Sequence, residues 1–390
     1  MKYWRGYIVA AILAALTFGL MKFAESYGEL VDMVYPYLTR MVQDVLTGWS
    51  SGFDLCLWQL LAALLVVVLI ATVVLMVLLR WNFVQWLGWV LACASLLFCL
   101  HTGIYGLNTH CSPLAEDIRL DTTVSNGTVT ELAEATTYFR DQANALCAQI
   151  PRDADGNPQL PSFEEMAAQA GDGFRTLTYE HSFSVFAGST APVKELGWSD
   201  MYTAMGIAGF TMPLTGEAAV NPQIPGVGIP FTMCHEMAHR MCIAQERDAN
   251  LAAFLSCRVN SDPVFQYSAY FMAYRYCYSA LAGSSASSAK VAAAEIKAGV
   301  DPLLQKDLTA YSQFLSQKQN PTATKVANKV NDTYIQASGD ESGILSYGEV
   351  TDLLVCWYVQ EIYLPAHQDE VEQFDPLDPE QVQLDYPAGG

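Results

Sequence analysis

Two long apolar runs dominate the early part of the chain. Leu55 to Leu79 is 25 residues without a charge, and Phe83 to Leu107 is a second such run with Trp and Tyr near its ends. Each is long enough to cross a bilayer core as a helix, and the aromatic ends suit membrane interfaces. A shorter run, Tyr7 to Met21, follows Lys2 and Arg5. Its basic start fits a signal peptide, but the lack of a small-x-small cleavage site favours an uncleaved anchor. The reading is a membrane domain over residues 1–107 with spans at about 7–23, 55–79 and 83–107. Residues 24–53 read as a loop carrying an amphipathic helix, YPYLTRMVQDVLTGW, near the membrane surface.

From residue 108 the pattern becomes periodic. TVTELAEATTYFRDQANALCAQI places Leu132, Phe139, Ala143 and Leu146 on one helical stripe. PRDADGNPQLPS is loop by its turn residues, and SFEEMAAQAGDGFRTL reads as a short helix ending near its glycines. The Gly- and Thr-rich TAMGIAGFTMPLTGEAAVN suits strands or a hairpin, and PQIPGVGIP cannot be helical. A helix then starts at Pro230 or Phe231, since proline is favoured in a first turn. DANLAAFLSCRVN and PVFQYSAYFMAYRYCYSALAG read as apolar helices, the second too rich in Tyr, with Arg275, for a fourth span. AGSSASSAK reads as a connector and GEVTDLLVCWYVQEIYLP as the last helix. The expected fold is mainly α with a small β element: membrane helices, a domain over 108–366, and a disordered acidic tail over 367–390.

Charge changes the picture. Residues 1–104 hold five basic and five acidic side chains, whereas 105–390 hold 15 and 35. A domain this acidic repels nucleic acid, which excludes that class of partner. Lys2, Arg5 and Arg80 outnumber Lys22 and Arg40, with Arg119 at the margin, a narrow count that favours the N-terminus inside and the large domain outside the cytoplasm. Three of the ten cysteines fall in the spans, and the other seven show neither a disulfide framework nor a C-x-x-C pair.

The chemistry concentrates in PFTMCHEMAHRMCIAQERDANLAAF, residues 230–254. On a helix, His235 and His239 stack one turn apart and can reach one metal ion, with Glu236 beside it as general base. Given this composition, a chance H-E-x-x-H arises in about one of two hundred such chains. The alternative is two ordinary histidines on a packed helix. A catalytic zinc needs a third protein ligand. Glu246 can supply it only if the chain bends between Arg240 and Gln245 and a new helix begins at ERDANLAAF. Asn250, four residues on, would then face the same way and could orient a ligand. Asp248 is the rival third ligand; Cys234 and Cys242 read as packing residues. For an oxyanion-stabilising group the candidates are Tyr334, Tyr347, His181 and Arg275. Glu217 in TGEAAVN belongs either to an edge strand that pairs with substrate or to an exposed turn. His101 and His110 flank the membrane exit and read as interfacial.

Four blocks in order, TGEAAVN, IPFTMCHEMAHRMCIAQERDANLAAFLSC, YSAYFMAYRY and VNDTYIQASG…SYGEVTDLL, resemble a family of bacterial membrane proteins, domain-of-unknown-function family 3810. The resemblance implies a few N-terminal transmembrane helices and an extracytoplasmic zincin-like domain. The site is also similar to that of gluzincin peptidases, in which a glutamate in an E-x-x-A-D/N setting is the third zinc ligand; Glu246, Ala249 and Asn250 match. The family usually has glycine where this chain has Cys242. The expectation is a multi-pass protein of a bacterial cell membrane, partnered by the lipid bilayer and a peptide or protein substrate. It would be a zinc metallopeptidase held by His235, His239 and Glu246, with Glu236 as base. A non-hydrolytic zinc-binding sensor or ligand-binding domain is the alternative. A structural metal closed by Asp248 is a third.

Overall fold

The computed structural model describes residues 2–318, 320–337 and 346–367, with side chains over 3–316, 320–329 and 350–367. The stretch read as a disordered tail lies outside these from residue 368 on. The chain opens with four long helices: α1 (Arg5–Ser26), α2 (Gly28–Ser50), α3 (Leu57–Leu78) and α4 (Phe83–Ile104). Of these α1, α3 and α4 are long and apolar enough to cross a membrane. Against α4, α1 packs at small residues: a Cβ on Gly6 would lie 2.4 Å from the Gly88 carbonyl carbon. Helices meet closely in lipid where such residues face each other.

The segment read as a loop with a short helix is almost entirely the helix α2, and its amphipathicity is inverted. Thr39, Arg40, Gln43 and Thr47 are buried, whereas Met33, Met41 and Val45 are 69%, 65% and 73% exposed. The buried face is satisfied by backbone of the following domain. Arg40 Nη1 donates to the carbonyls of Ser184 and Val185 (2.9 and 2.7 Å), Gln43 Nε2 to Pro213 (3.1 Å), and Thr47 Oγ1 to Gly216 (2.7 Å).

The domain begins with α5 (Leu114–Asp117), α6 (Val129–Cys147), α7 (Phe163–Gln169) and α8 (Asp172–Tyr179). The helix read over SFEEMAAQAGDGFRTL is thus two helices. Its glycines serve packing: a Cβ on Gly173 would lie 1.9 Å from the Ser256 carbonyl oxygen. Strand β1 (Lys194–Glu195) and α9 (Ser199–Met205) precede the hairpin β2 (Gly209–Met212) and β3 (Glu217–Val220). Then come α10 (Ile229–Arg240), α11 (Glu246–Val259), α12 (Pro263–Gly283), α13 (Ser287–Ala298), α14 (Pro302–Lys318), α15 (Pro321–Ala337) and α16 (Ser346–Tyr358). The stretch read as a connector is helical from Ser287, and the last helix continues past Tyr358 through a π-helical turn. The core joins α6, α11, α12 and α16 through Phe139, Phe254, Tyr270 and Trp357, with Phe254 and Trp357 ring centroids 4.8 Å apart.

The sheet has the order β1-β3-β2, so β3 is central and β2 is an edge. Strand alternation splits its faces. Ala218 and Val220 join the main core with Met233 and Met237 of α10; Ala219 joins Leu196, Tyr202 and Cys56 in a second cluster beside Trp58 of α3. The sheet therefore separates the site helix from the first turn of a candidate membrane span. Glu217 is corrected on both of its readings: it is neither on an edge strand nor in an exposed turn. Its buried carboxylate accepts from the amides of Leu57 and Trp58 (2.7 and 2.8 Å) and pairs with Lys194 Nζ at 2.7 Å. The opening amides of a helix have no partners within it and favour a negative group; Glu217 supplies both needs of α3.

Candidate metal centre

Pro230 sits in the first turn of α10, and ten of that helix's residues are buried, which fixes its rotation. His235 and His239 leave it on one side with Nε2 atoms 3.1 Å apart. After Arg240 the chain reverses. Cys242 adopts φ +70°, its amide bonds to the His239 carbonyl (2.9 Å), and the Ile243 amide reaches back to Ala238 (3.1 Å). These two bonds with a left-handed residue form a Schellman turn, normally the place of a glycine. The turn also aims a ligand, because His239 Nδ1 lies 2.8 Å from the Ile243 carbonyl oxygen. With Nδ1 donating there, a deprotonated Nε2 would turn its lone pair to the site, as metal binding requires.

The new helix α11 begins at Glu246, which returns to the two rings. Its Oε2 is 3.3 Å from His235 Nε2 and its Oε1 is 3.5 Å from His239 Nε2. Each of the three residues offers a ligand atom within 4.8 Å of the others. An ion held tetrahedrally at about 2.0–2.1 Å needs neighbouring ligand atoms about 3.3 Å apart. The distances of 3.1, 3.3 and 3.5 Å bracket that edge, so the donor set fits a zinc-sized ion.

Electrostatics couples the cluster. Burial disfavours charge on Glu246, but His239 and His235 outweigh it and hold the carboxyl well below its usual range. Burial likewise works against charge on His239, yet Glu246, with help from Glu236 and the Ile243 carbonyl, raises it to about 9. Glu236 is raised, mainly by burial and against the pull of both rings.

Glu236 is clasped by the edge strand. Thr211 Oγ1 lies 2.8 Å from its Oε2 and from its carbonyl oxygen. A Cβ on Gly209 would lie 2.5 Å from its Oε1, so any larger residue there would push the Glu236 side chain from this position. The sequence showed a strand-like GFT stretch but nothing that placed it against Glu236. A cleft of about 1450 Å³ opens above the cluster.

The other candidates separate clearly. Asp248 turns away from the cluster, and its Oδ2 accepts from the Leu114 amide at 3.0 Å. Asn250 lines the cleft, where its Oδ1 accepts from Tyr276 Oη at 3.2 Å; among the described residues no hydrogen bond joins it to the histidines or Glu246. Arg275 is also in the cleft, stacked 4.0 Å from the Tyr311 ring centre. His181 is exposed, stacks on Phe183 and does not line the cleft. The side chains of Tyr334 and Tyr347 lie outside the described residues. Tyr276, Tyr311 and His101 line the cleft too. Only folding brings them there, since they come from α12, α14 and the end of α4.

Cys242→Gly is expected to keep metal content and alter stability by less than about 1 kcal/mol, because relief of left-handed strain offsets the lost side chain. Cys242→Val should cost at least about 1 kcal/mol more, since a β-branched residue resists that conformation. Denaturant unfolding beside zinc analysis checks both; equal stability of the two variants would contradict the turn assignment.

No curated protein and no solved structure matches the chain. A family model, described as protein of unknown function (DUF3810), matches residues 31–355, most of the chain and all of the site just described. The chain belongs to the DUF3810 family.

Proposed function

We propose that this protein is a membrane-anchored zinc metallopeptidase that hydrolyses peptide bonds near the outer surface of a bacterial cell membrane. The observation that carries the reading is the mutual spacing of His235 Nε2, His239 Nε2 and the Glu246 carboxylate at a tetrahedral edge length. These three residues, which line the cleft, would hold the ion. Zinc bound there supplies a Lewis acid that lowers the pKa of a coordinated water toward neutrality. Glu236 takes the proton from the attacking water as its oxygen bonds to the scissile carbonyl carbon. The same carboxyl then delivers a proton to the amine as the C–N bond breaks. Thr211 and Gly209 hold that carboxylate in place, and edge strand β2 offers backbone to an extended chain in the cleft.

The sensor reading leaves the clasp around Glu236 without a purpose, because a binding site needs the imidazoles but not the base. A closed structural metal has no support from Asp248, which is engaged elsewhere. The outward orientation rests on Lys2, Arg5 and Arg80, which lie at the ends of α1 and α3 away from the domain.

The test is zinc content and cleavage of an unfolded protein mixture by the purified full-length chain, beside His239→Ala. About one zinc per chain and zinc-dependent cleavage are expected. His239→Ala should lose both, with affinity falling by more than the ~100-fold that loss of a mere supporting partner can cost. A wild-type chain that neither holds zinc nor cleaves refutes the proposal.

A further inference from the structure

We infer that the substrate is a polypeptide itself anchored in the bilayer, cut within the first few residues outside the lipid. This rests on the hydrolase reading and adds the substrate class. Three observations lead to it.

The first is how the domain is held. One residue, Tyr27, separates α1 from α2, and α2 leads through residues 51–56 into α3. A 23-residue helix about 34 Å long joins the ends of α1 and α3, so with both of these as spans it would run along the membrane surface. Its polar face is bonded to the domain, while Met33, Leu38, Met41, Val45 and Trp49 remain exposed. Lipid is the occupant of that face, because it is continuous with the exposed apolar surface of the spans it connects.

The second is a set of bonds that tie the sheet to the span. Besides the Glu217 contacts, Lys194 Nζ reaches the carbonyls of Ser50 and Leu55 (2.8 and 3.1 Å). Gln59 exchanges two hydrogen bonds with Gly197 (3.0 and 2.9 Å). The domain cannot swing away from the surface without breaking these.

The third is where the site sits. Trp58, in the first turn of α3, has its ring centre 5.0 Å from that of Phe210 on β2. The next residue, Thr211, touches Glu236 at 2.8 Å. One sheet layer therefore lies between the first turn of α3 and the base, which puts the cluster roughly 10–20 Å from the end of that candidate span. The cleft wall continues down to His101 and Tyr105 at the end of α4. An extended chain rising from the bilayer covers that distance in about three to six residues.

The experiment places the full-length protein in liposomes with three substrates that carry the same randomised ten-residue segment. In one the segment directly follows a single transmembrane helix. In the second a rigid proline-rich spacer of about 20 residues, roughly 60 Å, lifts it away from the helix. The third is the free peptide. Mass spectrometry of the products should show cuts in the directly anchored segment at least tenfold faster than in the other two, with none in Glu236→Gln liposomes. Comparable cutting of the spaced or free segment would leave the hydrolase standing and overturn the anchored-substrate inference. If a zinc-loaded wild type cuts none of the three, the hydrolase reading falls and this inference with it.

Discussion

Replacing Glu236 by glutamine is expected to lower peptide hydrolysis by about 10²–10⁴-fold, the usual contribution of a positioned acid–base group, while zinc content stays at the wild-type level. The substitution removes proton acceptance and little else. Glutamine has nearly the same volume, so the close approach of Gly209 is preserved, and its amide oxygen can still accept from Thr211. Glu236 is absent from the ligand trio, so nothing in the ion's grip changes. The measurements are zinc per chain, a thermal melt to show intact folding, and initial rates on the same substrate. Full activity in a zinc-loaded Glu236→Gln chain would remove Glu236 from the chemistry and favour the sensor reading. Loss of zinc together with activity would instead make Glu236 part of the donor set.

What the sequence disclosed follows a physical division. The three long apolar helices, candidate membrane spans, were legible because lipid would force every backbone group to be satisfied within such a helix. The structure places them at Arg5–Ser26, Leu57–Leu78 and Phe83–Ile104, within a few residues of the ranges read from hydropathy. The convergence of His235, His239 and Glu246 was legible because a four-residue spacing defines one helix face and the distance to Glu246 demands a break. The means of that break showed only in the glycine that the family usually has at position 242, since a cysteine there is by itself no recognised signal for a left-handed turn. Contacts between distant segments were invisible. Glu217 meets the first turn of α3 across 160 positions, so neither reading of TGEAAVN anticipated a helix cap. Thr211 and Gly209 press on Glu236 from another element for the same reason. The helices from Ser287 to Ala337 were missed because their apolar stripes are sparse and the Ser/Ala/Gly run before them resembles a connector. The direction of α2's amphipathicity was hidden as well. Periodicity reports that a helix has two faces, and only the partners show that here the polar one is inside.

Breaking the Lys194–Glu217 pair is expected to destabilise the protein by about 3–5 kcal/mol, the range for removing one partner of a buried ion pair. The pair qualifies as buried: side-chain exposures are 11% for Lys194 and 0% for Glu217. In Lys194→Met, Glu217 keeps the Leu57 and Trp58 amides but loses its cation, and the Ser50 and Leu55 carbonyls lose their donor. Adding Glu217→Gln removes the isolated charge and retains an oxygen for one of the amides. The double variant should therefore recover about 1–3 kcal/mol relative to the sum of the single losses. Reversible unfolding in detergent gives the energies. Limited proteolysis gives a second readout, because a loosened tie between sheet and span should expose residues 51–56 to cleavage before the core unfolds. A loss below about 1 kcal/mol, the level of an exposed surface pair, would show that Lys194 does not fasten the domain to α3. In that event the inferred position of the His235–His239–Glu246 cluster close to the membrane would lose its main structural support.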